Sequence, residues 1–303
     1  MNPLISVVIT TYYRNELLEE AIESVLAQDY EPVELVVVDD SGEGNAEPVL
    51  DRYGDEVTSV IRDRNGGCSV ARTDGIERST GEYVHFLDDD DLFLEGKLSK
   101  TVDVLVDDPD VGVAYSGVRQ DNGWQRRPPP EMSGDVLERT LRFETFPCYT
   151  GSMLIERDLL AETIPLAQFT AANDSDLMIQ LARRTRFDYV DEVLTFNRRS
   201  ESRTWTGLNK IEGMKQVIDA RSDVYDRYPE IRRAVLAEIY YKEGHIRLIE
   251  DRWTTEAIAC FARAARSGTE NRLKYGGALI ASLFGRPGVK TAANARDAVG
   301  KLT

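Results

Sequence analysis

The feature that most constrains this fold is a pair of uninterrupted apolar runs near the N-terminus. They are LISVVIT at residues 4–10 and ELVVV at residues 34–38. Runs without polar alternation are typical of strands that are covered on both faces, as in a parallel sheet. The segment between the runs carries apolar side chains at helical spacing, namely Leu17, Leu18, Ala21, Ile22, Val25 and Leu26. Because strand, helix and strand follow one another, we expect right-handed crossovers within a mostly parallel sheet.

The same alternation continues along the first half of the chain. It predicts strands at residues 57–61, 83–87 (YVHFL) and 111–115, and helices at residues 69–79 and around Leu98, Val102 and Leu105. The text NGWQRRPPPEM at residues 122–132 predicts a loop, because proline ends helices and lacks the amide proton that a central strand needs. We therefore expect an α/β domain over residues 1–203, with helices on both faces of the sheet.

Helical patterns alone fill the last third, and they predict a helical C-terminal region over residues 204–303. The predicted helices cover residues 211–228, 231–249, 254–267 and 272–284. Gly244, Ala257, Phe261 and Ala264 resemble one tetratricopeptide-type hairpin, although small residues at a helix crossing explain them equally well. The apolar stretch at residues 276–284 is too short to span a bilayer. It either packs on the rest of the chain or lies on a membrane surface.

The charge balance bears on the partners of the protein. The formal net charge is -16, and the 37 basic residues comprise eight lysines and 29 arginines. A broad nucleic-acid surface needs basic clusters, so we expect no nucleic-acid partner. An acidic, lysine-poor surface is typical of proteins from salt-loving organisms, where salt screens the repulsion. The alternative is an ordinary acidic cytosolic protein.

The N-terminus and the cysteines favour a cytoplasmic location. The first residues lack the basic segment and the cleavage site of a signal peptide, and residues 4–10 are better explained as a strand. No apolar stretch reaches the roughly 18 residues that a spanning helix needs. Cys68, Cys148 and Cys260 are few, odd in number and widely spaced, which is typical of reduced thiols.

Polar clusters follow three of the predicted strands at the point where each strand ends. They are Thr10-Thr11-Tyr12, Asp39-Asp40 and the run Asp88-Asp89-Asp90-Asp91. In an open parallel sheet these ends meet at one edge, which is where ligands bind. Two acidic clusters together repel each other unless a positive charge neutralises them, and carboxylates suit a hard divalent cation. The chain has only two histidines, so a zinc site is not expected.

Two common nucleotide-binding motifs are missing. No GxGxxG sequence follows the first strand, and no GxxxxGK[ST] sequence occurs anywhere in the chain. This disfavours a dinucleotide site and a P-loop. The triplet Asn65-Gly66-Gly67 is too short for either motif and is interpreted as a turn.

The chain resembles the family 2 glycosyltransferases over residues 3–200. The resemblance rests on PLISVVITTYYRNELLEEAIESVLAQDY, ELVVVDDSGEGN and NGGCSVARTDGIERSTGEYVHFLDDDD, which occur in the family's order. It implies a GT-A fold, a nucleotide-sugar donor and inversion at the transferred carbon. It also implies a divalent metal, Mg or Mn, held by an acidic motif of the DxD type.

The resemblance implies a role for individual residues on the donor side. Thr10, Thr11 and Tyr12 match the pocket for the nucleotide base, and Asp40 matches a carboxylate that hydrogen-bonds the base. Arg72 matches an arginine near the donor. The run of aspartates matches the DxD-type motif, in which Asp90 is the main metal ligand. Asp88 is then a second metal ligand, and Asp88 and Asp89 lie near the ribose, the sugar or a metal-bound water.

The acceptor side depends on a second acidic site. Asp174, followed by the helix MIQLARR, matches the general base that takes the acceptor's proton. The alternative is that Asp174 only caps that helix, since aspartate is common at helix starts. Asp176 is the next candidate. Gly151-Ser152-Met153 resembles the family's strand near the acceptor.

Three positions depart from the family pattern. Asn173 stands where the family often has glutamate, and Asp74 stands where asparagine is usual. Arg198 and Arg199 follow Asn197 where the family often has a histidine, which puts a third protein ligand to the metal in doubt. Either arginine could contact the diphosphate or remain a solvated surface residue.

The sequence therefore predicts a metal-dependent inverting glycosyltransferase. The acceptor is expected to be a glycan or lipid-linked glycan, in cell-surface or protein-glycan assembly at the cytoplasmic face of the membrane, with peripheral membrane association. One alternative is a non-catalytic relative that acts as a binding or scaffold protein. Another is a sugar-1-phosphate nucleotidyltransferase, although its glycine-rich signature is missing after the first strand.

Salt adaptation predicts a measurable dependence of stability on ionic strength. The melting temperature should rise steeply between dilute buffer and molar KCl, because the screening length falls to about 3 Å at 1 M and surface repulsion largely disappears. Thermal unfolding monitored by circular dichroism at several KCl concentrations tests this. A melting temperature that ignores salt would instead support the ordinary acidic cytosolic protein.

Overall fold

The computed structural model describes residues 2–198, 207–267 and 271–289. The chain forms two compact units, one of Met1–Gln168 with Asn173–Ser202 and one of Phe169–Ala172 with Arg203–Thr303. The predicted boundary at residue 203 falls in a stretch that lies outside the described residues.

The first unit is built on a nine-stranded mixed sheet. Its strands are β1 (Ile5–Thr11), β2 (Val33–Asp39), β3 (Thr58–Ile61), β4 (Tyr83–Asp88), β5 (Asp91–Phe93), β6 (Val111–Gln120), β7 (Gln125–Arg126), β8 (Met153–Glu156) and β9 (Arg186–Asn197). They lie in the order β3-β2-β1-β4-β8-β6-β9-β5, with β7 paired to β6. The strands β1 to β4, β6 and β9 run in one direction, and β5, β7 and β8 run in the other. The predicted α/β fold with a mostly parallel sheet is confirmed.

Helices cover both faces of this sheet. They are α1 (Asn15–Leu26), α2 (Glu47–Leu50), α3 (Cys68–Arg78), α4 (Lys97–Asp107), α5 (Leu137–Leu141), α6 (Arg157–Ala161) and α7 (Asn173–Ala182). Along β1, Val7 and Ile9 pack into a core with α1 and α4, whereas Val8 packs into a second core with α3 and α7. Burial on both faces explains why the β1 sequence shows no polar alternation.

The predicted loop at residues 122–132 contains short regular elements. β7 pairs with the end of β6 to form a hairpin, whose turn includes Gly123 at a φ of 81°. Pro130–Met132 forms one turn of 3-10 helix. The loop prediction is therefore wrong for these few residues, because two residues of edge pairing leave too short a pattern to recognise in sequence.

The second unit is helical in all of its described elements. They are α8 (Gly207–Ala220), α9 (Ser222–Tyr225), α10 (Pro229–Asp251), α11 (Thr255–Arg266) and α12 (Arg272–Ser282). The single helix predicted at residues 211–228 is instead two helices separated by Arg221. At the crossing of α10 and α11, a Cβ on Gly244 would lie 2.8 Å from the Phe261 ring, so the crossing requires a glycine. None of the described helices is both long and apolar enough to cross a membrane.

Candidate active site

Three strands bring the polar clusters to one edge of the sheet. In the parallel register, Thr11 lies beside Asp39 and Thr10 lies beside Asp88. These residues are at the carboxyl ends of β1, β2 and β4, where open parallel sheets bind ligands. The two acidic clusters and the threonines therefore lie next to each other, as the sequence predicts.

The four aspartates alternate in their surroundings. Asp89 and Asp91 are buried, whereas the side chains of Asp88 and Asp90 retain 35% and 16% exposure. Asp89 accepts hydrogen bonds from the Thr11 hydroxyl at 2.8 Å and the Tyr12 amide at 3.3 Å. The structure thus places Asp88 and Asp90 toward solvent and uses Asp89 to hold the end of β1. The contacts predicted for Thr11 and Asp89 with a nucleotide-sugar donor stay predictions. In this structure the Thr11 hydroxyl instead donates its hydrogen bond to the Asp89 carboxylate.

Asp91 is held by Asn197 and Arg198, at a departure from the family pattern, and by Tyr149, which the sequence did not single out. Its carboxylate accepts from the Tyr149 hydroxyl at 3.1 Å and from the Asn197 amide at 2.9 and 3.0 Å. The Arg198 backbone amide adds a bond of 3.1 Å, while its guanidinium pairs with Glu20. This fixes the end of β9 against the acidic run. Arg199, the other arginine considered for the diphosphate, lies outside the described residues.

Burial makes three of the four aspartates costly to ionise. It raises the pKa of Asp89 to about 6, although Arg14 and the Thr11 hydroxyl favour the charged form. Burial and then the neighbouring Asp88 raise the pKa of Asp90, and burial raises the pKa of Asp91 well above its usual range. A bound cation would stabilise the ionised carboxylates, which is the electrostatic condition that a metal site needs.

The donor set fits a hard divalent cation only in part. In the described ranges, no group of three or more His, Cys, Asp or Glu side chains is arranged to hold a metal. Mg²⁺, however, is commonly bound by one or two carboxylates together with waters and substrate phosphates. Asp88 and Asp90 can supply those two carboxylates at the exposed edge, and the remaining ligands would have to come from a phosphate ligand and water.

Arg14 is a positive charge that the sequence analysis assigned no role. Its guanidinium lies 2.9 Å from a carboxylate oxygen of Asp89 and 2.9 Å from one of Asp90. It follows Tyr13, whose φ of 57° is unusual for a residue other than glycine and turns the chain sharply out of β1. The sequence does carry a signal for this contact. Arg14 is a basic residue three positions after β1, and β1 ends beside the acidic run.

Asp40 holds the glycine turn that precedes α3. Its carboxylate accepts from the amides of Gly66 at 2.8 Å and Gly67 at 2.7 Å, and it lies 2.8 Å from the Arg62 guanidinium. Arg62 also pairs with Asp74, which accounts for an acidic residue at that departure from the family pattern. Asp40 is buried, and the hydrogen bond predicted between Asp40 and the nucleotide base of the donor stays a prediction.

Thr10 and Tyr12 lie at the carboxyl end of β1, on the same edge of the sheet. The Thr10 hydroxyl is 3.8 Å from the Cys68 sulfur at the start of α3. Tyr12 is 51% exposed, and its ring meets Tyr13 edge to face at a centroid distance of 4.7 Å. An exposed aromatic ring of this kind offers a flat apolar surface to a planar ligand.

Arg72 joins the end of β4 to Asp174, the predicted general base. One of its terminal nitrogens donates to Asp88 at 2.8 Å and the other donates to Asp174 at 2.9 Å. The arginine side chain is only 7% exposed and its guanidinium lies over the Phe86 ring, 5.6 Å from the centroid. Two residues assigned to different halves of the reaction are therefore connected through one buried cation.

Asp174 lies in the first turn of α7, which begins at Asn173. It is thus inside the helix and is not the capping residue, and its carboxylate is used by Arg72. Asp176, the other candidate base, is buried and accepts from the Gln180 amide of the same helix at 3.1 Å. Of the two, Asp174 is the one with a third of its side chain exposed.

A pocket opens beside Asp174, and Thr150 lines it with a buried hydroxyl. The lining residues are Ser69, Arg72, Thr150, Leu166, Ala167, Asn173, Asp174, Asp176 and Leu177. Within the described part of the chain, the Thr150 hydroxyl oxygen has no hydrogen-bond partner. A buried hydroxyl without a partner carries a free-energy cost, which a polar ligand in the pocket would remove.

A buried lysine holds the turn on which Thr150 lies. Lys97 donates to the Ser152 carbonyl oxygen at 2.7 Å and to the Ser116 hydroxyl at 3.0 Å. Burial lowers the pKa of Lys97 to about 7. The sequence offered no signal for this lysine, because it occupies the first position of an ordinary amphipathic helix.

Comparison with known proteins identifies the family of the first unit. The family model described as "Glycosyl transferase family 2" matches residues 6–164, which is about half of the chain. The match includes the edge formed by β1, β2 and β4 and ends before Asp174.

Curated relatives are similar over different lengths. An uncharacterized glycosyltransferase of Rickettsia typhi is 29% identical over 221 residues, which cover 70% of this chain and 69% of the relative. A glucosyl-dolichyl phosphate glucuronosyltransferase of Haloferax volcanii is 40% identical over 128 residues, or 41% of each chain.

Solved structures share the fold at low sequence identity. TarS of S. aureus, residues 1–349 in complex with UDP-GlcNAc, has a TM-score of 0.64 at 16% identity and covers 97% of this chain and 91% of its own. The mannosyltransferase PcManGT of Pyrobaculum calidifontis, in complex with GDP-Man and Mn²⁺, has a TM-score of 0.62 at 19% identity, with coverage of 97% and 85%. The predicted GT-A type fold is confirmed.

The double ion pair of Arg72 predicts a specific loss of stability. Arg72→Leu should lower the free energy of unfolding by about 1–3 kcal/mol, because charged hydrogen bonds to two carboxylates are lost. Arg72→Lys should lose less, since it keeps the charge but not the two-pronged geometry. Urea denaturation measures both.

Arg52→Leu is the matched control, because Arg52 pairs with Glu19 at 2.8 Å where both side chains are exposed. Its loss should cost about 1 kcal/mol or less. Equal losses in Arg72→Leu and Arg52→Leu would contradict the structural importance of the Arg72 bridge.

Proposed function

The chain belongs to glycosyl transferase family 2, and we propose that it moves a sugar from a nucleotide-sugar donor to an acceptor hydroxyl with inversion at the transferred carbon. The chain is a glycosyltransferase by its family and its relatives, and it acts in glycan biosynthesis. The observation that carries the finer proposal is Arg72, which holds Asp88 of the donor edge and Asp174 of the acceptor pocket within hydrogen-bond distance of one side chain.

The donor is proposed to bind at the edge formed by β1, β2 and β4. Tyr12 offers an exposed ring for the base, and Thr10 lies beside it at the strand end. The relatives TarS and PcManGT were solved with UDP-GlcNAc and with GDP-Man and Mn²⁺, which supports a nucleoside diphosphate sugar as the donor class here. Mg²⁺ or Mn²⁺ held by Asp90 and Asp88 would neutralise the charge that develops on the diphosphate.

One hydroxyl group of the acceptor is proposed to enter the pocket beside Asp174, whose free volume of about 10 Å³ has room for one water-sized group. The unpartnered Thr150 hydroxyl would hydrogen-bond the acceptor and orient one of its hydroxyl groups toward Asp174. The Asp174 carboxylate then takes the proton of that hydroxyl. At the same time the acceptor oxygen forms a bond to the sugar carbon, and the bond between that carbon and the diphosphate breaks. Because the attack comes from the face opposite the leaving group, a single displacement inverts the configuration.

Arg72 is proposed to hold both carboxylates in register before the substrates bind. Its guanidinium is planar and offers several donors in a fixed geometry, so one side chain can bind two carboxylates at once. Arg14 acts similarly for Asp89 and Asp90. Both arginines reduce the repulsion within the acidic edge, and a divalent cation bound there would add to that compensation.

The setting is proposed to be assembly of a surface or protein-linked glycan on a lipid carrier at the cytoplasmic face of the membrane. The Haloferax volcanii relative is named as a glucosyl-dolichyl phosphate glucuronosyltransferase. That name supports a lipid-linked acceptor for this chain as well. The three cysteines are free thiols, which supports a cytoplasmic location.

Asp90→Ala should abolish metal-dependent binding of a nucleoside diphosphate while leaving the fold intact. The reason is that Asp90 supplies the main protein ligand at the exposed edge. Isothermal calorimetry of UDP and GDP with and without Mn²⁺ measures the effect. Asp55→Ala is the control, because Asp55 is exposed and lies before the amino end of β3, whereas this edge is formed by the carboxyl ends of the parallel strands. Unchanged affinity in Asp90→Ala with Mn²⁺ present would rule out the metal role of Asp90.

Asp174→Asn should lower turnover by about 10²-fold or more, because an amide cannot accept the acceptor's proton. Donor affinity should stay near that of the wild type, since the base acts on the acceptor. Release of nucleoside diphosphate under steady-state conditions measures turnover. Asp158→Asn, a change at a side chain that is 85% exposed, is the matched control. Near-normal turnover in a folded Asp174→Asn protein would mean that the base is another residue, with Asp176 the next to test.

A further inference from the structure

The pocket beside Asp174 is too small to hold a whole acceptor. Its free volume of about 10 Å³ has room for one water-sized group, so the rest of a glycan has to lie outside it. Thr150 lines that pocket, and Tyr149 is the residue before Thr150 in the chain. The surface that begins at Tyr149 therefore adjoins the pocket.

Three aromatic rings form a row that starts at Tyr149. The rings of Tyr149 and Phe146 have centroids 6.2 Å apart and planes inclined by 19°. The rings of Phe146 and Trp124 have centroids 5.7 Å apart and planes inclined by 35°. We call Tyr149, Phe146 and Trp124 the aromatic row. Because neighbouring planes are only moderately tilted, the row is a continuous aromatic surface and not an edge-to-face cluster.

The inner end of the aromatic row is fixed beside the acidic run. The Tyr149 hydroxyl donates to Asp91, the last aspartate of that run, at 3.1 Å. The Tyr149 amide donates to the Ser152 hydroxyl at 3.0 Å, and that hydroxyl donates to the Pro147 carbonyl oxygen at 2.9 Å. The loop that carries Phe146 and Tyr149 is thus held in place before a ligand binds, which lowers the entropic cost of binding.

The outer end of the aromatic row is exposed to solvent. Trp124 and Phe146 are 42% and 39% exposed. Trp124 lies in the turn between β6 and β7, where its carbonyl oxygen accepts from the Gln120 amide at 2.7 Å. The Trp124 amide donates to the Asn122 side-chain oxygen at 3.0 Å. Two large rings on a fixed backbone therefore face water, and a ligand that covers them gains the free energy of burying apolar surface.

The surroundings of the aromatic row favour a glycan over a lipid chain. The hairpin residues Asn122, Gln125 and Arg126 are exposed and polar. Within described residues 107–198, the exposed large apolar side chains are Trp124 and Phe146, and neither is aliphatic. A sugar ring has C–H groups on its faces and hydroxyl groups around its rim, so it can contact the aromatic rings and the polar neighbours together. A lipid chain offers those polar neighbours no hydrogen bond, and covering them would cost free energy.

We propose that the aromatic row binds the part of the acceptor glycan that lies outside the pocket. Sugar rings lie against Trp124 and Phe146, while the reacting hydroxyl group enters the pocket beside Asp174. This inference rests on the proposed function and adds to it a binding surface for neutral pyranose sugars. Binding to the aromatic row requires neither donor nor metal, so it can be measured separately from sugar transfer.

Fluorescence of Trp124 tests this binding. The chain has three tryptophans, and the variant Trp205→Phe/Trp253→Phe keeps Trp124 as the one that emits. Cellotriose, maltotriose, mannotriose and chitotriose are titrated into this variant without donor or metal. At least one of these neutral trisaccharides should change the emission along a saturable curve. Adding Phe146→Ala should weaken the affinity for that trisaccharide by about tenfold, because one ring of the row is lost.

Val106→Ala in the same background is the matched control. Val106 is apolar and 58% exposed, and it lies near the end of α4, before β6 begins. Trp124 lies beyond the other end of this ten-residue strand. The Val106→Ala protein should bind the trisaccharide as its parent does, and circular dichroism should show that both variants are folded. Calorimetry of UDP and GDP with Mn²⁺ should give the same affinity in Phe146→Ala as in the wild type.

Two results would overturn the proposal, namely an emission that none of the trisaccharides changes and an affinity that Phe146→Ala leaves intact. An emission that decyl phosphate changes and the sugars do not would assign the aromatic row to a lipid chain, which also overturns it. The proposed transfer reaction survives these results as long as UDP or GDP binds with Mn²⁺. Saturable trisaccharide binding without any binding of UDP or GDP would instead contradict the proposed donor and leave the aromatic row as a glycan site.

Discussion

The ion pairs of Arg72 are the interaction on which the organisation of the site depends. A buried guanidinium is costly unless it is paired, and here two carboxylates from separate elements, Asp88 at the end of β4 and Asp174 on α7, satisfy it. The sequence distance between these aspartates is large, so the arginine provides a link that the backbone does not. This contact joins the strand edge proposed for the donor to the pocket proposed for the acceptor.

The same logic explains why arginines recur around the acidic edge. Four consecutive aspartates repel one another, and burial raises the pKa of Asp89, Asp90 and Asp91. Arg14 on one side and Arg72 on the other offset this repulsion without filling the exposed edge. The edge keeps enough negative charge to favour a cation. The ion pairs with the two arginines offset enough of the repulsion for the edge to remain folded.

The parts of the structure that sequence could predict are those set by local pattern. Uninterrupted runs gave β1, β2 and β4, and the rule for parallel sheets brought Thr10, Asp40 and Asp88 to one edge. β9 escaped prediction because its sequence RFDYVDEVLTFN alternates irregularly and its pairing with β6 contains register shifts. The bonds of Asp91 to Tyr149 and Asn197 join residues that are 58 and 106 positions apart, and no local pattern encodes such partners. The base role proposed for Asp174 comes from resemblance alone, because a helix cap and a general base look the same in sequence.

The anomeric configuration of the product tests the central claim most directly. Purified protein is incubated with UDP- and GDP-sugars, Mn²⁺ and a glycan or lipid-linked acceptor, and the new linkage is examined by NMR. A single displacement promoted by Asp174 predicts a product whose configuration is inverted relative to the donor. A retained configuration would contradict the mechanism. Absence of transfer and of nucleoside diphosphate release across the donor panel would instead support the non-catalytic alternative.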